Sequence, residues 1–250
     1  MSKIMMGEYD MQHYFINELR ENLMFFTNDD AHHILNVMRL KNNDKVICIY
    51  DGIKYLCELL VENKAVKANI LEEIEDNSIL PIKVTLFYSM PKGEKFELVL
   101  QKATELGVTE IIPVMTRKCI VSIDPKKLPN KMERWNKILK EASEQSRRST
   151  IPVLKEPINK AQIKQYMCET NIIGDERKVV EGTSSMMDLV NKAKSIGVLV
   201  GCEGGFTNEE FEYFKSIGFE GVSFGKRILR SETAAIYALS CVMFMLESRK

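Results

Sequence analysis

The sequence of 250 residues is poor in the side chains that most often build metal centres and imidazole-based active sites. It has three histidines, and His13, His32 and His33 all lie near the N-terminus. Its six cysteines form no CxxC pair, and none has a histidine or a second cysteine at metal-ligand spacing. Because the rest of the chain lacks an imidazole base, hydrolase and metalloenzyme functions are disfavoured, and we predict no metal site.

Long hydrophobic runs are also absent. No apolar stretch approaches the ~20 residues of a membrane-spanning helix, and the N-terminus lacks the apolar segment of a secretory signal. We expect the cysteines to be reduced thiols in or near a hydrophobic core, because a chain of this length does not need disulfide bonds for stability. We therefore expect a soluble, cytoplasmic protein without a membrane partner.

An excess of charge of one sign is missing too, since Lys and Arg total 35 and so do Asp and Glu. The net charge of zero neither favours nor excludes binding to nucleic acid, but the charged residues are unevenly distributed along the chain. Residues 117–155 carry eleven Lys or Arg against four Asp or Glu. Two interpretations stay open for this segment: a surface that binds phosphates, or a solvated helix face.

The first seventy or so residues predict short strands separated by turns. Asp51-Gly52 between two apolar runs is a strong hairpin signal. A helix is expected around residues 29–40, with Thr27 as its N-cap and Asp30 three residues later. The pattern favours a small β-barrel, and its predicted strands cover residues 11–17, 44–52, 54–62 and 65–74.

Strands and helices alternate after the polar hinge at residues 75–81. The segment "IKVTLFYSM" reads as a buried strand, and "KGEKFELVLQKATELGV" follows as a helix with Gly107 just past its end. A second helix, "RWNKILKEASEQSRR", places Trp135, Ile138, Leu139 and Ala142 on one face. Such alternation predicts an α/β domain, in which helices cover a parallel sheet.

Two turns late in the chain each follow a predicted strand and precede a predicted helix. The first loop, residues 201–206, reads "GCEGGF"; the second loop, residues 224–230, reads "FGKRILR". Neither is a standard phosphate-binding motif. Ligands of parallel sheets bind beyond the carboxyl ends of strands, where Ile228 and Leu229 could cover an aromatic base. The alternative is purely structural: a capping box from Thr207 to Glu210 and a helix entrance at Ser231 and Glu232.

Three segments, in this order, resemble the RsmE family of 16S rRNA uridine-N3 methyltransferases. They are "KGEKFELVLQKATELGVTEIIPV" followed by "EASEQSRRSTIP", then "LVGCEGGFTNEE", then "FGKRILRSETA". The earlier "HHILNVMRLKNNDKVICIYDG" resembles the family's PUA-like RNA-binding domain. The resemblance implies a PUA-like β-barrel over residues 1–74 and a SPOUT methyltransferase domain over residues 75–250. That second domain would have a parallel sheet with helices on both faces and a C-terminal trefoil knot.

The same resemblance implies the cofactor and the partners. The cofactor would be S-adenosylmethionine (SAM), which leaves as S-adenosylhomocysteine, and the substrate would be one uridine in 16S rRNA of the small ribosomal subunit. The chain would act as a homodimer. RNA contacts are expected at Arg39, Arg117, Arg147 and Arg148. The cofactor-binding positions carried over are Leu199, Val200, Gly201, Glu203, Gly204, Phe224, Gly225, Arg227, Ile228, Leu229 and Glu232.

Catalytic roles are assigned by the chemistry of the transfer, in which uracil N3 must lose its proton. Arg227 and Arg230 would stabilise negative charge on the uracil carbonyls. Glu203 or Glu232 would accept the proton. Two readings compete with this one: a related SPOUT enzyme acting on tRNA or on a ribose 2′-hydroxyl, and a non-catalytic RNA-binding factor in ribosome assembly.

The sequence departs from the family pattern in the first loop. Cys202 stands where the family usually has proline, so the loop is expected to be more flexible before binding, by about 0.4–1 kcal/mol of chain entropy. Ser231, where threonine is usual, is a milder change.

Overall fold

The structure is a computed structural model that describes residues 11–63, 65–119, 123–175 and 184–249. Its contacts divide into two compact units. The first unit runs to Ile79 and also takes in Ser143–Thr150; the second unit consists of Leu80–Ala142 and the chain from Ile151 onward. The expected domain division after residue 74 stays a prediction.

The first unit is built on a six-stranded sheet. Its strands are β1 (His13–Phe15), β2 (Glu18–Arg20), β3 (Leu23–Phe25), β4 (Lys45–Tyr50), β5 (Ile53–Glu62) and β6 (Ala65–Ile74). The strand order is β1-β4-β5-β6-β3-β2, with β1 parallel to β4 and the other pairs antiparallel. Helix α1 (Asn28–His32) continues as a π-helical turn over His33–Val37.

Local sequence signals explain two features of this unit. Asp51 and Gly52 both adopt positive φ, 51° and 80°, and join β4 to β5 as the predicted hairpin. Thr27 caps α1, because its side chain accepts a hydrogen bond from the Asp30 backbone N–H at 3.2 Å. The short strands β2 and β3 were not predicted.

The segment Ser143–Thr150 packs with the first unit although it lies far along the chain. The Phe15 backbone N–H donates to the Glu144 carboxylate at 3.1 Å. Asp76 forms an ion pair with Lys54. Burial opposes ionisation of Asp76, but hydrogen bonds from Lys54 and Ser78 outweigh it and lower its pKa to about 2. The predicted second domain, residues 75–250, includes residues 143–150. Hydrophobic periodicity carries no information about contacts between residues that lie far apart in the chain.

The second unit contains a parallel sheet. Its main strand order is β10-β8-β7-β12-β11-β13, with β9 also paired to β8. The strands are β7 (Lys83–Ser89), β8 (Glu110–Met115), β9 (Val153–Leu154), β10 (Ile158–Asn159), β11 (Thr170–Gly174), β12 (Ser195–Val200) and β13 (Phe219–Val222). The helices are α2 (Lys95–Glu105), α3 (Leu128–Gln145), α4 (Ser184–Lys192), α5 (Asn208–Ser216) and α6 (Ser231–Glu247).

The two faces of this sheet bury different side chains, as the period of a strand requires. Leu86 and Tyr88 of β7 face a core shared with α2, α3, α4 and α6. Phe87, between them, faces a second core with α5 and a 3-10 helix at Lys160–Tyr166. Phe96 and Trp135 on the predicted apolar faces of α2 and α3 meet edge to face, with ring centroids 4.7 Å apart. The predicted α/β class is confirmed.

Candidate functional site

The two loops meet at one edge of the parallel sheet. The first loop follows β12 and the second follows β13. Both strands pair in parallel with β11, where Ile173 lies opposite Leu199 on one side and Gly221 on the other. Because parallel strands end at the same edge, both loops project beyond it. They line one cavity of about 490 Å³.

Most of the expected cofactor-binding residues line this cavity. Leu199 does not, because it is fully buried in the core beneath the first loop. Glu232 lies in the first turn of α6, outside the lining. The lining contains Val200, Gly201, Glu203, Gly204, Phe224, Gly225, Arg227, Ile228, Leu229 and Arg230.

Sequence reasoning missed part of the lining. Gly174 and Asp175, at the end of β11, form the cavity wall between the two loops, and Lys118 closes another side. A Cβ atom on Gly174 would lie 2.6 Å from the Phe224 ring, so the absence of a side chain lets the ring cover this strand end. The signal was the "GD" pair at the end of a predicted strand, which sheet order alone places between the loops.

Backbone conformation in the first loop depends on glycine. Gly205 has φ of 64° and donates its N–H to the Cys202 carbonyl at 2.9 Å. The Lys118 ammonium donates to the Gly204 carbonyl at 2.7 Å, and a Cβ atom on Gly204 would approach the Lys118 side chain at 3.1 Å. At its glycines the loop therefore presents backbone groups to the cavity.

The predicted capping box after the first loop is present and has an additional partner. The Glu210 carboxylate accepts from the Thr207 N–H at 3.1 Å, and the Thr207 hydroxyl accepts from the Glu210 N–H at 3.2 Å. The other carboxylate oxygen of Glu210 accepts a hydrogen bond from the Arg117 backbone N–H at 2.6 Å. Glu210 is 1% exposed, so one buried carboxylate ties the start of α5 to the turn after β8.

Lys95 links the two carboxylates proposed as proton acceptors. Its ammonium lies 3.1 Å from the Glu203 carboxylate and 3.4 Å from that of Glu232. The Lys92 backbone N–H also donates to Glu203, at 3.3 Å. Sequence analysis treated Lys95 as part of an ordinary helix start and assigned it no role.

The pKa of both carboxyls lies below the ordinary range. Partial burial opposes ionisation of Glu203, but its own backbone N–H and the Lys95 ammonium outweigh this and lower its pKa. The pKa of Glu232 is lowered by the same balance, with burial opposed by its backbone N–H and by Lys95. Both groups are therefore ionised at neutral pH and are weak bases.

Cationic side chains surround the cavity mouth. Arg227 and Arg230 of the second loop are exposed, and so is the neighbouring Lys226. Ile228 between them is 83% exposed, so the second loop presents an apolar side chain to solvent in the free chain. An exposed apolar residue flanked by cations is typical of a surface that binds nucleic acid, where the apolar side chain contacts a base and the cations contact phosphates.

The four arginines expected to contact RNA lie in different surroundings. Arg117 belongs to the second unit, and Arg39, Arg147 and Arg148 belong to the first. Arg39 and Arg117 are exposed, whereas Arg148 is 6% exposed. Burial lowers the pKa of Arg148 to about 10, against the opposing effect of Asp76. Their contacts with RNA stay predictions.

The described parts of the chain contain neither a candidate membrane-spanning helix nor a candidate metal cluster. In the parts of the chain that the structure describes, no helix is long and apolar enough to cross a membrane. Within those same ranges, no group of three or more His, Cys, Asp or Glu side chains is arranged to hold a metal ion.

Comparison with known proteins gives consistent similarities over nearly the whole chain. A model of an RNA methyltransferase domain matches residues 78–243, and a model of an RNA methyltransferase PUA domain matches residues 26–71. The chain is 36% identical to ribosomal RNA small subunit methyltransferase E of Bacillus subtilis (strain 168), over 95% of this chain and 98% of that protein. Its counterpart in Mesomycoplasma hyopneumoniae (strain 232) is 34% identical, over 92% and 98%.

Solved structures agree with these matches. The crystal structure of a ribosomal RNA small subunit methyltransferase E from Neisseria gonorrhoeae, bound to S-adenosyl methionine, superposes with a TM-score of 0.83. It is 30% identical in sequence and covers 94% of this chain and 97% of its own. A putative methyltransferase from Legionella pneumophila, in complex with bound SAM, has a TM-score of 0.84 at 30% identity, with coverage of 94% and 97%.

Proposed function

The chain belongs to the RNA methyltransferase family, and from that premise we propose that it is a SAM-dependent enzyme that methylates N3 of one uridine in 16S rRNA. The observation that carries the proposal is the single cavity formed by both loops beyond the ends of β12 and β13. Relatives that match more than nine tenths of the chain are named ribosomal RNA small subunit methyltransferase E, and two similar structures hold SAM.

The residues around the cavity fit this cofactor. A volume of about 490 Å³ lies within the ~300–1,000 Å³ of small-molecule sites. Backbone groups at Gly201 and Gly204 can approach a ligand closely, and Phe224 and Leu229 offer apolar surface for an adenine ring. When bound, SAM supplies an electrophilic methyl group on its sulfonium.

The chain's own side chains must align the uracil and handle the charge that develops on it. Arg227 and Arg230 at the cavity mouth would stabilise negative charge on the uracil carbonyls as N3 loses its proton. Glu203 or Glu232 would take that proton on a carboxylate oxygen. Since both carboxyls have a lowered pKa, positioning and cationic stabilisation contribute more to the rate than general-base strength does.

Lys95 acts in this scheme as a positioning residue. Without a cation between them, Glu203 and Glu232 would repel each other as two ionised carboxylates beside one cavity. The ammonium of Lys95 holds both carboxylate groups next to the first loop and keeps them charged. It acts on the cofactor and the uracil through those carboxylates.

The proposal includes a homodimer, which α6 supports. Ala234, Tyr237, Cys241 and Phe244 recur at three- and four-residue spacing along one face of the helix. Tyr237 is 38% exposed and Phe244 is 70% exposed in the single chain. A nearly all-apolar helix with an exposed aromatic stripe is typical of a subunit interface.

Three finer features complete the proposal. The C-terminal chain would be threaded as a trefoil knot, which the adjacency of the two loops favours. The first unit would bind RNA as a PUA-like domain, which the match over residues 26–71 supports. Action on ribosomal RNA would place the protein in the cytoplasm.

The test combines cofactor binding with mapping of the modified nucleotide. We expect calorimetric titration to show SAM uptake, and primer extension on 16S rRNA to stop at one uridine only when the protein is present, since N3-methylation blocks base pairing. A non-catalytic assembly factor would take up no SAM. Modification found in tRNA or on a ribose, by mass spectrometry, would replace uridine N3 as the target.

Arg227→Ala is the sharpest variant for the catalytic assignment. It should leave most SAM binding intact while sharply reducing transfer to rRNA, because the arginine acts on charge that develops in the uracil. Lys226→Ala is the matched control, since Lys226 is an adjacent, exposed cation at the same cavity. Wild-type turnover in Arg227→Ala would remove this residue from the mechanism.

A further inference from the structure

A chain of hydrogen bonds runs from the core of the second unit to one of the two carboxylates beside the cavity. Tyr88, near the end of β7, is fully buried and donates its phenol O–H to the Ser231 hydroxyl at 3.1 Å. The Ser231 hydroxyl donates in turn to the Glu232 carboxylate at 3.3 Å. Ser231 is itself buried and lines the cavity. Two buried hydroxyls therefore connect the sheet to a carboxylate at the site.

Packing fixes the Tyr88 end of this chain. The Tyr88 ring stacks on Phe96 of α2, with ring centroids 6.2 Å apart and an interplanar angle of 6°. Phe96 in turn meets Trp135 of α3 edge to face. Because side chains in a close-packed core occupy defined rotamers, the phenol oxygen has a fixed place beside Ser231. Burial raises the pKa of Tyr88, so the phenol keeps its proton and stays a donor.

The same aromatic pair also places Lys95. This lysine precedes Phe96 at the start of α2, and its ammonium lies 3.4 Å from the Glu232 carboxylate. The Ser231 hydroxyl and the Lys95 ammonium both approach Oε2 of Glu232. One carboxylate oxygen is thus held by two donors that come from different elements, which fixes the orientation of the whole group.

Glu203, the other carboxylate beside Lys95, is held differently. It lies in the first loop, and its side chain is 37% exposed against 15% for Glu232. Its further donor is the Lys92 backbone N–H, in the turn before α2. Groups supported by helices and strands are positioned more precisely than groups on loops. Since a proton acceptor must be held within hydrogen-bond distance of the atom that loses the proton, the geometry favours Glu232.

We propose that Tyr88 and Ser231 are positioning residues that orient Glu232 as the acceptor of the uracil N3 proton, with Glu203 outside the proton transfer. The N3–H bond breaks and its proton moves to a Glu232 carboxylate oxygen. The electron pair left on N3 attacks the methyl carbon, whose bond to sulfur breaks with its electrons remaining on sulfur. Both hydroxyls keep their own protons throughout. The role of Glu232 rests on the proposed function, whereas the hydrogen bonds that hold it do not.

Removal of either hydroxyl has a defined effect on the ionisation of Glu232. This carboxyl faces the Lys95 ammonium on α2 and the Glu203 carboxylate on the first loop. Through Ser231 it also faces the Tyr88 phenol on β7. Burial opposes ionisation of Glu232, whereas its own backbone N–H, Lys95 and Ser231 lower its pKa. Without the Ser231 donor this pKa rises toward its ordinary value, so the carboxylate takes up a proton at higher pH.

The experiment measures methyl transfer to 16S rRNA by the full chain as a function of pH. Tyr88→Phe keeps the ring stack and removes only the phenol oxygen. Its kcat should fall about tenfold while its KM for SAM stays within about twofold of wild type, because the orientation of the acceptor is lost and cofactor binding is not. The acid limb of its pH–rate profile should move to higher pH. Ser231→Ala should move the limb in the same direction, which covers poor folding of the first variant, and Ser231→Thr, which keeps a hydroxyl, should restore the wild-type profile.

Two further variants test whether Tyr88 acts through Ser231. The double variant Tyr88→Phe, Ser231→Ala should lose no more activity than Ser231→Ala alone, because both changes break one chain. Tyr14→Phe is the matched control, since Tyr14 is a buried tyrosine of the first unit whose hydroxyl lies 3.1 Å from His33 Nδ1. Its acid limb should stay in place. An unmoved limb in both Tyr88→Phe and Ser231→Ala, or losses that add in the double variant, would overturn the proposal.

A second readout separates the hydrogen-bond chain from the proposed function. NMR titration of labelled glutamate carboxyl carbons follows Glu232 without rRNA or turnover, and Glu232→Gln identifies its signal. The pKa of Glu232 should rise in Tyr88→Phe and stay unchanged in Tyr14→Phe. A wild type that transfers no methyl group would refute the proposed function. A raised Glu232 pKa in Tyr88→Phe would then still support the positioning chain, and an unmoved pKa would contradict it.

Discussion

Glu210 offers a quantitative test of how the first loop is held. Its carboxylate is 1% exposed and accepts hydrogen bonds from the backbone N–H groups of Thr207 and Arg117, at 3.1 and 2.6 Å. Glu210→Ala leaves both donors without this acceptor. A hydrogen bond to a charged group contributes about 1.5–3 kcal/mol, so the two together set a range of about 3–6 kcal/mol.

The lower end of that range is the expected result. Thr207 is half-exposed and its N–H can turn to water, which recovers part of the loss. We therefore expect Glu210→Ala to lower the free energy of unfolding by about 3 kcal/mol, and Glu210→Gln, which keeps one acceptor oxygen, by about 1.5 kcal/mol. With a urea dependence of about 2 kcal/mol per M, the alanine variant should unfold at a midpoint about 1.5 M lower.

The assay is urea unfolding followed by tryptophan fluorescence. Trp135 is the single tryptophan, is 4% exposed and belongs to the second unit, so its signal reports the unit that carries the loops. Glu212→Ala is the matched control on the same helix, since its side chain is 62% exposed and lies 3.7 Å from Lys215. A surface pair of this kind contributes about 0–1 kcal/mol. Coincident midpoints for Glu210→Ala and Glu212→Ala would refute the assignment.

Three further predictions concern other parts of the molecule. Lys95→Met should raise the KM for SAM and shift the acid limb of the pH–rate profile to higher pH. Without the ammonium, the pKa of the Glu203 and Glu232 carboxyls rises toward its ordinary value. The control Lys102→Met, on the same helix, should change neither the KM nor the pH–rate profile. Phe244→Glu should convert a dimer into a monomer in light scattering after gel filtration, whereas Glu247→Ala should leave the dimer intact. Asp76 has a folded-state pKa of about 2, below its ordinary ~3.9, so it stabilises the fold above about pH 4 and loses that contribution as pH falls toward 2. The difference in unfolding midpoint between wild type and Asp76→Asn should therefore shrink over this range, and a constant difference would contradict the prediction.

Local signals in the sequence predicted the elements that depend on neighbouring residues. Asp51-Gly52 specifies its hairpin because both residues tolerate positive φ. Gly107 adopts φ of 81° just after α2, as a residue past a helix end does. The capping box at Thr207 and Glu210 forms within one helical turn. Each signal reflects hydrogen bonds or backbone preferences that span only a few residues.

Contacts between distant residues were less accessible to sequence reasoning. Lys95 pairs with carboxylates more than a hundred positions later in the chain, and no local pattern specifies that contact. Gly174 and Asp175 join the site only because β11 lies between β12 and β13 in the sheet.

The sequence by itself therefore determined the α/β alternation, the two glycine- and arginine-bearing loops, and the family to which these motifs belong. Only the tertiary structure decided which side chains share the cavity and which carboxylates share one lysine. The physical reason is that periodicity and capping are set by neighbouring residues, whereas a site depends on strand order and packing. Those bring together groups that the linear sequence keeps far apart.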